Sequence, residues 1–297
     1  MEIESIPSFF IVGVQKSATS SIHSILSQDT RISLPYRKET HFFSTHFRKG
    51  ISWYLKMFNN NTFNLRGEVD PSYSHYPEAF VNLNKCLKKS KFIIIFRKPI
   101  DRAYSHYLMS KKRNFEDLSF NKALLAEKNR LANDQNNFSF SNHSYLLRSE
   151  YCDVINRCKK IFPDSDYLFL KFDDFINMDS RIEFIKGIYN FIGLEYPSDL
   201  NLSIHENQSS KIGNKFLGNN IYKNTFLRRF LKHVIPSSYY RFKIHNFIEH
   251  FNSDVLPDTI AKLDYRSLRK DIVKWNNDQS INLQKLTNIN VDDWIIG

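Results

Sequence analysis

The sequence has few cysteines and lacks any apolar segment long enough to cross a membrane. Its three cysteines, Cys86, Cys152 and Cys158, cannot all pair with one another, and their spacing is not that of metal ligands. So few thiols are typical of a reducing compartment. No apolar run approaches the roughly 20 residues of a membrane-spanning helix, and the N-terminus lacks the basic and apolar regions of a signal peptide. These absences predict a cytoplasmic protein without a transmembrane segment.

Glycine is also scarce, with 8 residues in 297, whereas phenylalanine is abundant, with 26. The phenylalanines fall mostly in apolar runs, which indicates core packing, and the chain is long enough for one large α/β domain. The net charge is +11, from 42 Lys and Arg against 31 Asp and Glu. This excess favours polyanions, acidic membrane surfaces or phosphorylated ligands as partners, without deciding among them.

Short apolar runs alternate with amphipathic segments over the first two thirds of the chain. The runs 9–14, 91–99 and 166–175 predict buried strands. Helical spacing of apolar residues follows at 17–28, 100–114, 144–162 and 181–194, and again near the C-terminus. Strands that alternate with helices in this way predict a central parallel sheet with helices on both faces. The Lys-, Arg- and Asn-rich segment from about 205 to 253 predicts a basic, partly helical lobe within a single domain, 1–297.

The stretch "FFIVGVQKSATSSIHSIL" at 9–26 has the composition of an anion-binding loop between a strand and a helix. Backbone N–H groups converge at a helix N-terminus, and the helix dipole adds about half a positive charge there. Lys16 supplies a full positive charge, and the hydroxyl groups of Ser17, Thr19, Ser20 and Ser21 can donate hydrogen bonds. The alternative is that these hydroxyl groups only cap the helix, but a lysine within the turn favours an anion site.

The loop departs from the G-x-x-x-x-G-K-[ST] motif of nucleotide kinases and ATPases. Gly13 is present, but Ala18 and Thr19 occupy the positions of the second glycine and the lysine. The second strand run is followed by Arg97, where a nucleotide kinase would use an aspartate for Mg²⁺. The sequence thus predicts two anion pockets that need no metal, one at 13–21 and one at 97–105. A ligand with two such groups is 3′-phosphoadenosine 5′-phosphosulfate (PAPS).

Three stretches make the chain similar to the PAPS-dependent sulfotransferases, and they occur along the chain in the order typical of that family. "GVQKSATSSI" resembles the 5′-phosphosulfate loop of that family, and "IIIFRKPIDRAYSHY" resembles its 3′-phosphate strand-turn-helix. Between them, "RKETHFFSTHFRKGISWYLKMF" is similar to the carbohydrate branch, the heparan sulfate N- and 3-O-sulfotransferase domains and their bacterial relatives. The resemblance implies a P-loop-like three-layer fold. It also implies an enzyme that moves a sulfuryl group from PAPS to a hydroxyl or amine of a carbohydrate-type acceptor.

The same resemblance implies roles for individual residues. Lys16 would stabilise the leaving phosphate, Glu39 would be the general base with His41 beside it, and His106 is a reserve candidate for the base. Ser210 and Lys211, within "NQSSKIGNK", would close over the nucleotide. The residues implied to bind the cosubstrate are Lys16, Ser17, Ala18, Thr19, Ser20, Ser21, Arg97, Ser105, Ser210 and Lys211. No metal is expected.

Each of these interpretations has an alternative. Glu39 lies among basic residues and could form an ordinary surface salt bridge, and Arg97 could pair with Asp101 or Glu68 instead of a phosphate. The whole protein could be a metal-dependent nucleotide kinase, which the missing Gly-Lys-Ser/Thr disfavours. It could also be a non-enzymatic protein that binds polyanions or nucleic acid. Because the basic residues are dispersed among Asp, Glu and Asn, without an aromatic-basic motif, we expect a glycan or small-molecule acceptor and no nucleic acid.

Overall fold

Five parallel strands form the central sheet of the computed structural model, which describes residues 6–58, 65–203, 210–212, 253–255 and 262–297. In chain order the strands are β1 (Phe9–Gly13), β2 (Ile32–Ser33), β3 (Leu65–Val69), β4 (Lys91–Phe96) and β5 (Asp166–Lys171). Their order across the sheet is β2-β3-β1-β4-β5, and each neighbouring pair is parallel. The loops that follow β1, β3 and β4 therefore begin at the same edge of the sheet, where open α/β sheets bind their ligands.

Helices connect the strands and follow the sheet along the chain. They are α1 (Thr19–Leu26), α2 (Ile51–Leu55), α3 (Pro77–Cys86), α4 (Pro99–Lys112), α5 (Phe120–Ala132), α6 (Phe138–Asn142), α7 (Tyr151–Ile161), α8 (Phe172–Ile176), α9 (Met178–Ile192) and α10 (Lys270–Thr287). A π-helical turn (Phe42–His46) precedes α2, and a 3₁₀ turn (Pro71–Ser74) follows β3. Gly193, with φ 89°, ends α9 in the left-handed conformation that glycine adopts most readily.

Two hydrophobic clusters lie on opposite faces of the sheet because successive side chains of a strand point to opposite sides. Phe10 and Val12 of β1 belong to the cluster that includes α3, α7 and the C-terminal Trp294. Phe9 and Ile11 belong to the other cluster, with α1, α8 and α9. The predicted three-layer α/β fold, a parallel sheet with helices on both faces, is confirmed.

Several boundaries differ from the sequence prediction for local reasons. The apolar run 166–175 contains β5 and then the short helix α8, and the helical pattern at 144–162 becomes regular only at Tyr151. Strand β3 was missed because its sequence "LRGEV" lacks the continuous apolar run by which the other strands were recognised. Its Gly67 packs directly against Phe9, since an added Cβ would lie 2.0 Å from the Phe9 ring.

The contacts within the chain divide it into two units. The first comprises Met1–Arg102, Leu147–Glu206 and Lys270–Gly297 and contains the sheet, and the second comprises Ala103–Leu146 and Asn207–Arg269. In the second unit, Glu116 is buried and accepts hydrogen bonds from Arg130 and Tyr145. Two short antiparallel strands, β6 (Ser210–Ile212) and β7 (Ser253–Val255), come from the predicted basic lobe, most of which lies outside the described residues. The single domain 1–297 stays a prediction.

Candidate active site

The loop between β1 and α1 has an unusual backbone that leaves the N-terminus of α1 open. Lys16 (φ 77°) and Ala18 (φ 57°) are both left-handed, a conformation that residues other than glycine adopt infrequently. Ala18 is the N-cap of α1 and has no side chain that could accept from the first turn. The first N–H groups of a helix have no partner within the helix, so a helix N-terminus of this kind can bind an anion. The N-cap position itself, Ala18, makes no side-chain capping hydrogen bond.

The hydroxyl groups of this loop are largely buried. Ser17 is fully buried, and its Oγ has no hydrogen-bond partner among the described residues. Thr19 and Ser21 are also buried, whereas Ser20 is half-buried. Buried polar atoms in proteins are normally hydrogen-bonded, and a phosphate oxygen is a suitable partner for a hydroxyl beside a helix N-terminus. The loop therefore fits the phosphate of a nucleotide.

Gly13 is required where β1 enters the loop. A Cβ at this position would lie 2.8 Å from Cβ and 2.9 Å from Oγ of Ser74, closer than side-chain atoms pack. Ser74 ends the 3₁₀ turn that follows β3. The absence of a side chain at Gly13 thus brings the loop after β1 and the turn after β3 into contact.

Arg97 directly follows β4 and reaches the loop after β1. Its Nη1 donates a hydrogen bond to the backbone carbonyl of Lys16 (3.1 Å), and its guanidinium lies 4.6 Å from the centre of the Phe172 ring. The carbonyl of Arg97 accepts from the Tyr151 hydroxyl (2.7 Å). Arg97, predicted to bind an anion, therefore touches the backbone of Lys16 in the loop after β1.

Two buried arginines near this loop were missed by the sequence analysis. Arg148 donates from Nη1 to Oε1 of Gln15 (2.6 Å), and Arg102 donates from Nε to Oγ of Ser149 (2.5 Å). Both are almost inaccessible to solvent. Burial, followed by the charges of Arg148 and Arg102, holds the pKa of His75 well below its ordinary value. In the sequence these arginines fall in helix-like patterns, where arginine is ordinarily a surface residue, so no signal identified them.

Glu39 lies in the turn that precedes the π-helical segment. Its backbone N–H donates to the carbonyl of Val69 (3.3 Å), and its φ of 60° is left-handed. Its carboxylate contacts the Lys38 ammonium, and its Oε2 lies 4.0 Å from Nε2 of His41. About a third of the side chain (34%) is exposed. The salt bridge expected from the sequence is present, and the structure also places Glu39 beside His41.

His41 is held by groups at the end of β3. Its backbone N–H donates to Oδ2 of Asp70 (2.7 Å), and its Nδ1 lies 3.1 Å from Oγ of Ser72 and 3.4 Å from Asp70 Oδ2. Burial lowers the pKa of His41, but the carboxylates of Asp70 and Glu39 outweigh burial, and the net pKa is raised. The cationic imidazolium is therefore favoured at this position.

Two fully buried carboxyl groups, Glu68 and Asp70, lie behind the turn, and their pKa values shift in opposite directions. Burial, and then the charge of Asp70, raises the pKa of Glu68 to about 8, although three hydroxyl groups hydrogen-bond to it. Those hydroxyl groups belong to Thr40 (2.5 Å), Tyr54 (2.6 Å) and Tyr73 (3.0 Å). Burial also disfavours ionised Asp70, but His41 and Ser72 outweigh it, and its pKa is lowered. Glu68, considered above as a partner of Arg97, is thus surrounded by hydroxyl groups.

Four other predicted residues belong to the second unit. Ser105 is half-buried on α4, and the next residue, His106, is fully buried with its ring 5.3 Å from that of Tyr145. Ser210 and Lys211 belong to β6, but their side chains lie outside the described residues. The roles implied for these four residues stay predictions.

Comparisons with known proteins identify the family of this chain. Residues 7–212 match the Sulfotransferase domain family, and the chain belongs to that family. It is 32% identical over 109 residues to the membrane-associated sulfotransferase kil1 of Dictyostelium discoideum, over 35% of this chain and 23% of that protein. It is 34% identical over 123 residues to bifunctional heparan sulfate N-deacetylase/N-sulfotransferase 4 of Mus musculus, over 38% of this chain and 14% of that protein. The matched segments thus span less than a quarter of these two relatives.

A solved structure shows the same fold. The crystal structure of a sulfotransferase from Alicyclobacillus acidocaldarius superimposes with a TM-score of 0.66 at 19% identity, over 97% of this chain and 98% of that one. The chain therefore carries a sulfotransferase domain, the domain of an enzyme. In the described ranges no helix has the length and apolar character needed to cross a membrane, and no group of three potential metal-ligating side chains occurs there.

Proposed function

We propose that this protein transfers a sulfuryl group from PAPS to a hydroxyl or amine of a carbohydrate-type acceptor. The observation that carries the proposal is the hydrogen bond from Arg97 to the carbonyl of Lys16. It joins the loop suited to a 5′-phosphosulfate to the residue suited to a 3′-phosphate, so a single nucleotide can reach both. Sulfuryl transfer needs alignment and charge stabilisation more than covalent chemistry.

In this proposal each loop residue acts on a defined part of the cosubstrate. Lys16 and the open amide groups of α1 stabilise the charge that develops on the leaving phosphate oxygen. Ser17 uses its unpartnered hydroxyl group on the 5′-phosphate, together with Ala18, Thr19, Ser20 and Ser21 of the same loop. Arg97, with Ser105, holds the 3′-phosphate, and Ser210 and Lys211 cover the nucleotide. No step requires a metal.

Glu39 takes the proton from the attacking hydroxyl or amine of the acceptor. Its carboxylate is partly exposed, as a base that meets a second substrate must be, and it lies next to His41. General base catalysis of this kind contributes typically about 10²- to 10⁴-fold in rate. The proposal of a carbohydrate acceptor is supported by the heparan sulfate sulfotransferases among the relatives of this chain. A small hydroxylated molecule is the other acceptor to include, and the cytoplasmic location stays a prediction.

A transfer assay tests these roles directly. Wild-type protein is incubated with PAPS labelled in its sulfuryl group and with three acceptors: a glucosamine oligosaccharide, its N-acetylated form and a simple phenol. Lys16→Ala is expected to lower transfer by about 10²- to 10³-fold, because one preorganised donor is lost. Glu39→Gln is expected to lose about 10²-fold or more. The exposed pair Glu183 and Lys186 supplies matched controls, Glu183→Gln and Lys186→Ala, which should transfer like wild type.

Ligand-induced stabilisation separates the proposal from a nucleotide kinase. PAPS and its product, 3′-phosphoadenosine 5′-phosphate, should raise the melting temperature equally with and without Mg²⁺. ATP should have little effect under either condition. Stabilisation by ATP that depends on Mg²⁺, combined with no effect of the 3′-phosphorylated nucleotides, would refute the proposed cosubstrate.

A further inference from the structure

We propose that Asp70 is a positioning residue for the transfer reaction. It holds His41 and the turn at Glu39 in their working arrangement. This inference rests on the proposed function, since it concerns the residue that supports the proposed general base. The sequence assigned Asp70 no role. The inference begins with the contacts that Asp70 makes.

Asp70 uses both carboxylate oxygens to join the end of β3 to the turn that carries Glu39. Oδ2 accepts from the backbone N–H of His41 (2.7 Å) and lies 3.4 Å from its Nδ1. Oδ1 accepts from the backbone N–H (3.0 Å) and the Oγ (2.6 Å) of Ser72. Asp70 is itself fully buried. A buried carboxylate with donors on both oxygens has its orientation fixed, so it can fix that of His41 in turn.

The turn needs such an anchor because its backbone is strained. Glu39 (φ 60°) and His41 (φ 54°) are both left-handed, on either side of Thr40. Side chains other than glycine occupy this region at an energetic cost and keep it only when surrounding contacts impose it. The bond from the His41 N–H to Asp70 acts within this strained segment. Loss of the Asp70 charge is therefore expected to move Glu39 as well as His41.

The charges around His41 indicate which group Asp70 positions. Asp70 faces Nδ1 from the end of β3, and Glu39 Oε2 lies 4.0 Å from Nε2 on the other side of the ring. The positive charge of Arg37 opposes protonation of His41, and His46 and His75 also lie within electrostatic range. The two carboxylates prevail, and the pKa of His41 is raised. His41 thus lies between the Asp70 and Glu39 carboxylates, where its ring can hold the Glu39 carboxylate, the proposed base.

A double-mutant cycle distinguishes positioning from simple structural support. Asp70→Asn keeps the shape of the side chain and removes its charge, and it is expected to lower kcat by about 10- to 100-fold with little change in the KM for PAPS. His41→Gln is expected to lose a similar factor. His41→Gln removes the ring contact with Asp70 but keeps the backbone N–H that donates to it. If Asp70 positions the His41 ring, Asp70→Asn should therefore cost clearly less in the His41→Gln background than in wild type, the remainder being the part that acts through the backbone bond. If the factors by which the two single variants lower kcat multiply in the double variant, the proposal is overturned.

Glu68→Gln is the matched control. Glu68 lies two residues before Asp70 and is equally buried, but its hydrogen-bond partners are hydroxyl groups and not His41. With its pKa raised to about 8, about nine tenths of Glu68 is protonated at pH 7, and glutamine mimics that neutral form. Transfer by Glu68→Gln should therefore match wild type at pH 7. A loss equal to that of Asp70→Asn would mean that burial of a carboxyl group, and not contact with His41, causes the effect.

A measurement of His41 itself gives a readout independent of turnover. The imidazole of His41, labelled with ¹⁵N and assigned with His41→Gln, is titrated by NMR in wild type, Asp70→Asn and Glu68→Gln. Asp70→Asn should lower the proton affinity of His41 at least about tenfold, and Glu68→Gln should not. An unchanged proton affinity in Asp70→Asn overturns the proposal.

The outcomes also separate this proposal from the function on which it rests. If wild type transfers nothing from PAPS to any acceptor of the panel, the proposed function fails, and the role of Asp70 in the reaction fails with it. Transfer by wild type with multiplying losses refutes the role of Asp70 alone. Should Asp70→Asn not fold, Ser72→Ala replaces it, because it removes one donor to Asp70 and the neighbour of His41 Nδ1. The loss it causes should likewise shrink in the His41→Gln background.

Discussion

Replacement of Glu68 by glutamine is expected to make the protein progressively more stable than wild type as the pH rises from 5 to 9. The Glu68 carboxyl group is fully buried, and its pKa is raised from 4.5 to about 8, first by burial and then by the nearby charge of Asp70. An acid whose pKa is higher in the folded state binds more protons when folded than when unfolded. Wild type therefore loses stability as the pH rises through this window, because folding must take up a proton.

The size of the effect follows from the same pKa values. A rise from 4.5 to about 8 corresponds to about 5 kcal/mol, at about 1.4 kcal/mol for each tenfold change in proton affinity. Less than about a quarter of this is already expressed at pH 5, and nearly all of it at pH 9. The free energy of unfolding of Glu68→Gln, minus that of wild type, should therefore increase by about 4 kcal/mol between pH 5 and pH 9.

Urea unfolding followed by circular dichroism at pH 5, 6, 7, 8 and 9 measures this difference. Titration of other groups cancels between the two proteins unless it is coupled to Glu68. Glu116→Gln is the control, because Glu116 is another buried carboxyl group and its pKa is lowered to about 2, burial being outweighed by Arg130, Leu118 and Tyr145. Its difference from wild type should be flat above pH 5. A flat difference for Glu68→Gln as well would show that Glu68 is ionised in the fold and would refute the reasoning.

Three further predictions concern the loops around β1. Arg97→Ala should weaken binding of 3′-phosphoadenosine 5′-phosphate about 10- to 100-fold, as loss of a charge-assisted hydrogen bond does, and leave AMP binding unchanged; calorimetry showing equal losses would contradict this. Gly13→Ala should cost about 1–3 kcal/mol by overpacking against Ser74, and Ser74→Gly should restore most of the melting temperature. Burial, followed by the charge of Lys38, lowers the pKa of His23 to about 4. Wild type should therefore lose about 2 kcal/mol of stability between pH 6.5 and pH 4, with allowance for partial exposure of the ring; urea unfolding of His23→Gln should show no such loss.

The sheet could be predicted where its strands are uniformly apolar. β1 and β4 have the continuous apolar sequence of strands buried on both faces, and each is followed by an amphipathic helix. β3 escaped prediction because a fully buried glutamate occupies its penultimate position. A charged residue in a short segment ordinarily marks the surface, and the hydrogen bonds from Thr40, Tyr54 and Tyr73 that offset its burial come from outside the strand.

The candidate anion loop could be proposed from the sequence for a different reason. Lysine and hydroxyl residues between a strand and a helix combine charge, donors and a helix N-terminus within a few consecutive residues, so the local sequence contains the whole feature. The contact of Arg97 with Lys16 joins residues 81 positions apart. It could be expected only because parallel strands place both loops at one edge of the sheet. The hydrogen bond between Arg148 and Gln15, 133 positions apart, could not be expected on this ground.

Strand β3, which was missed by the sequence analysis, and the residue after it supply the two carboxyl groups that contact the turn at Glu39. Glu68 and Asp70 differ in the partners they meet: hydroxyl groups around Glu68 leave burial dominant, whereas His41 and the Ser72 donors favour the ionised form of Asp70. Carboxyl groups whose environments push their pKa values apart serve different purposes. Glu68 accepts a hydrogen bond from the Thr40 hydroxyl and has no contact with His41 among those described. Asp70 instead contacts both the backbone N–H and the ring of His41, so in the proposed arrangement its charge acts on the histidine beside the candidate base.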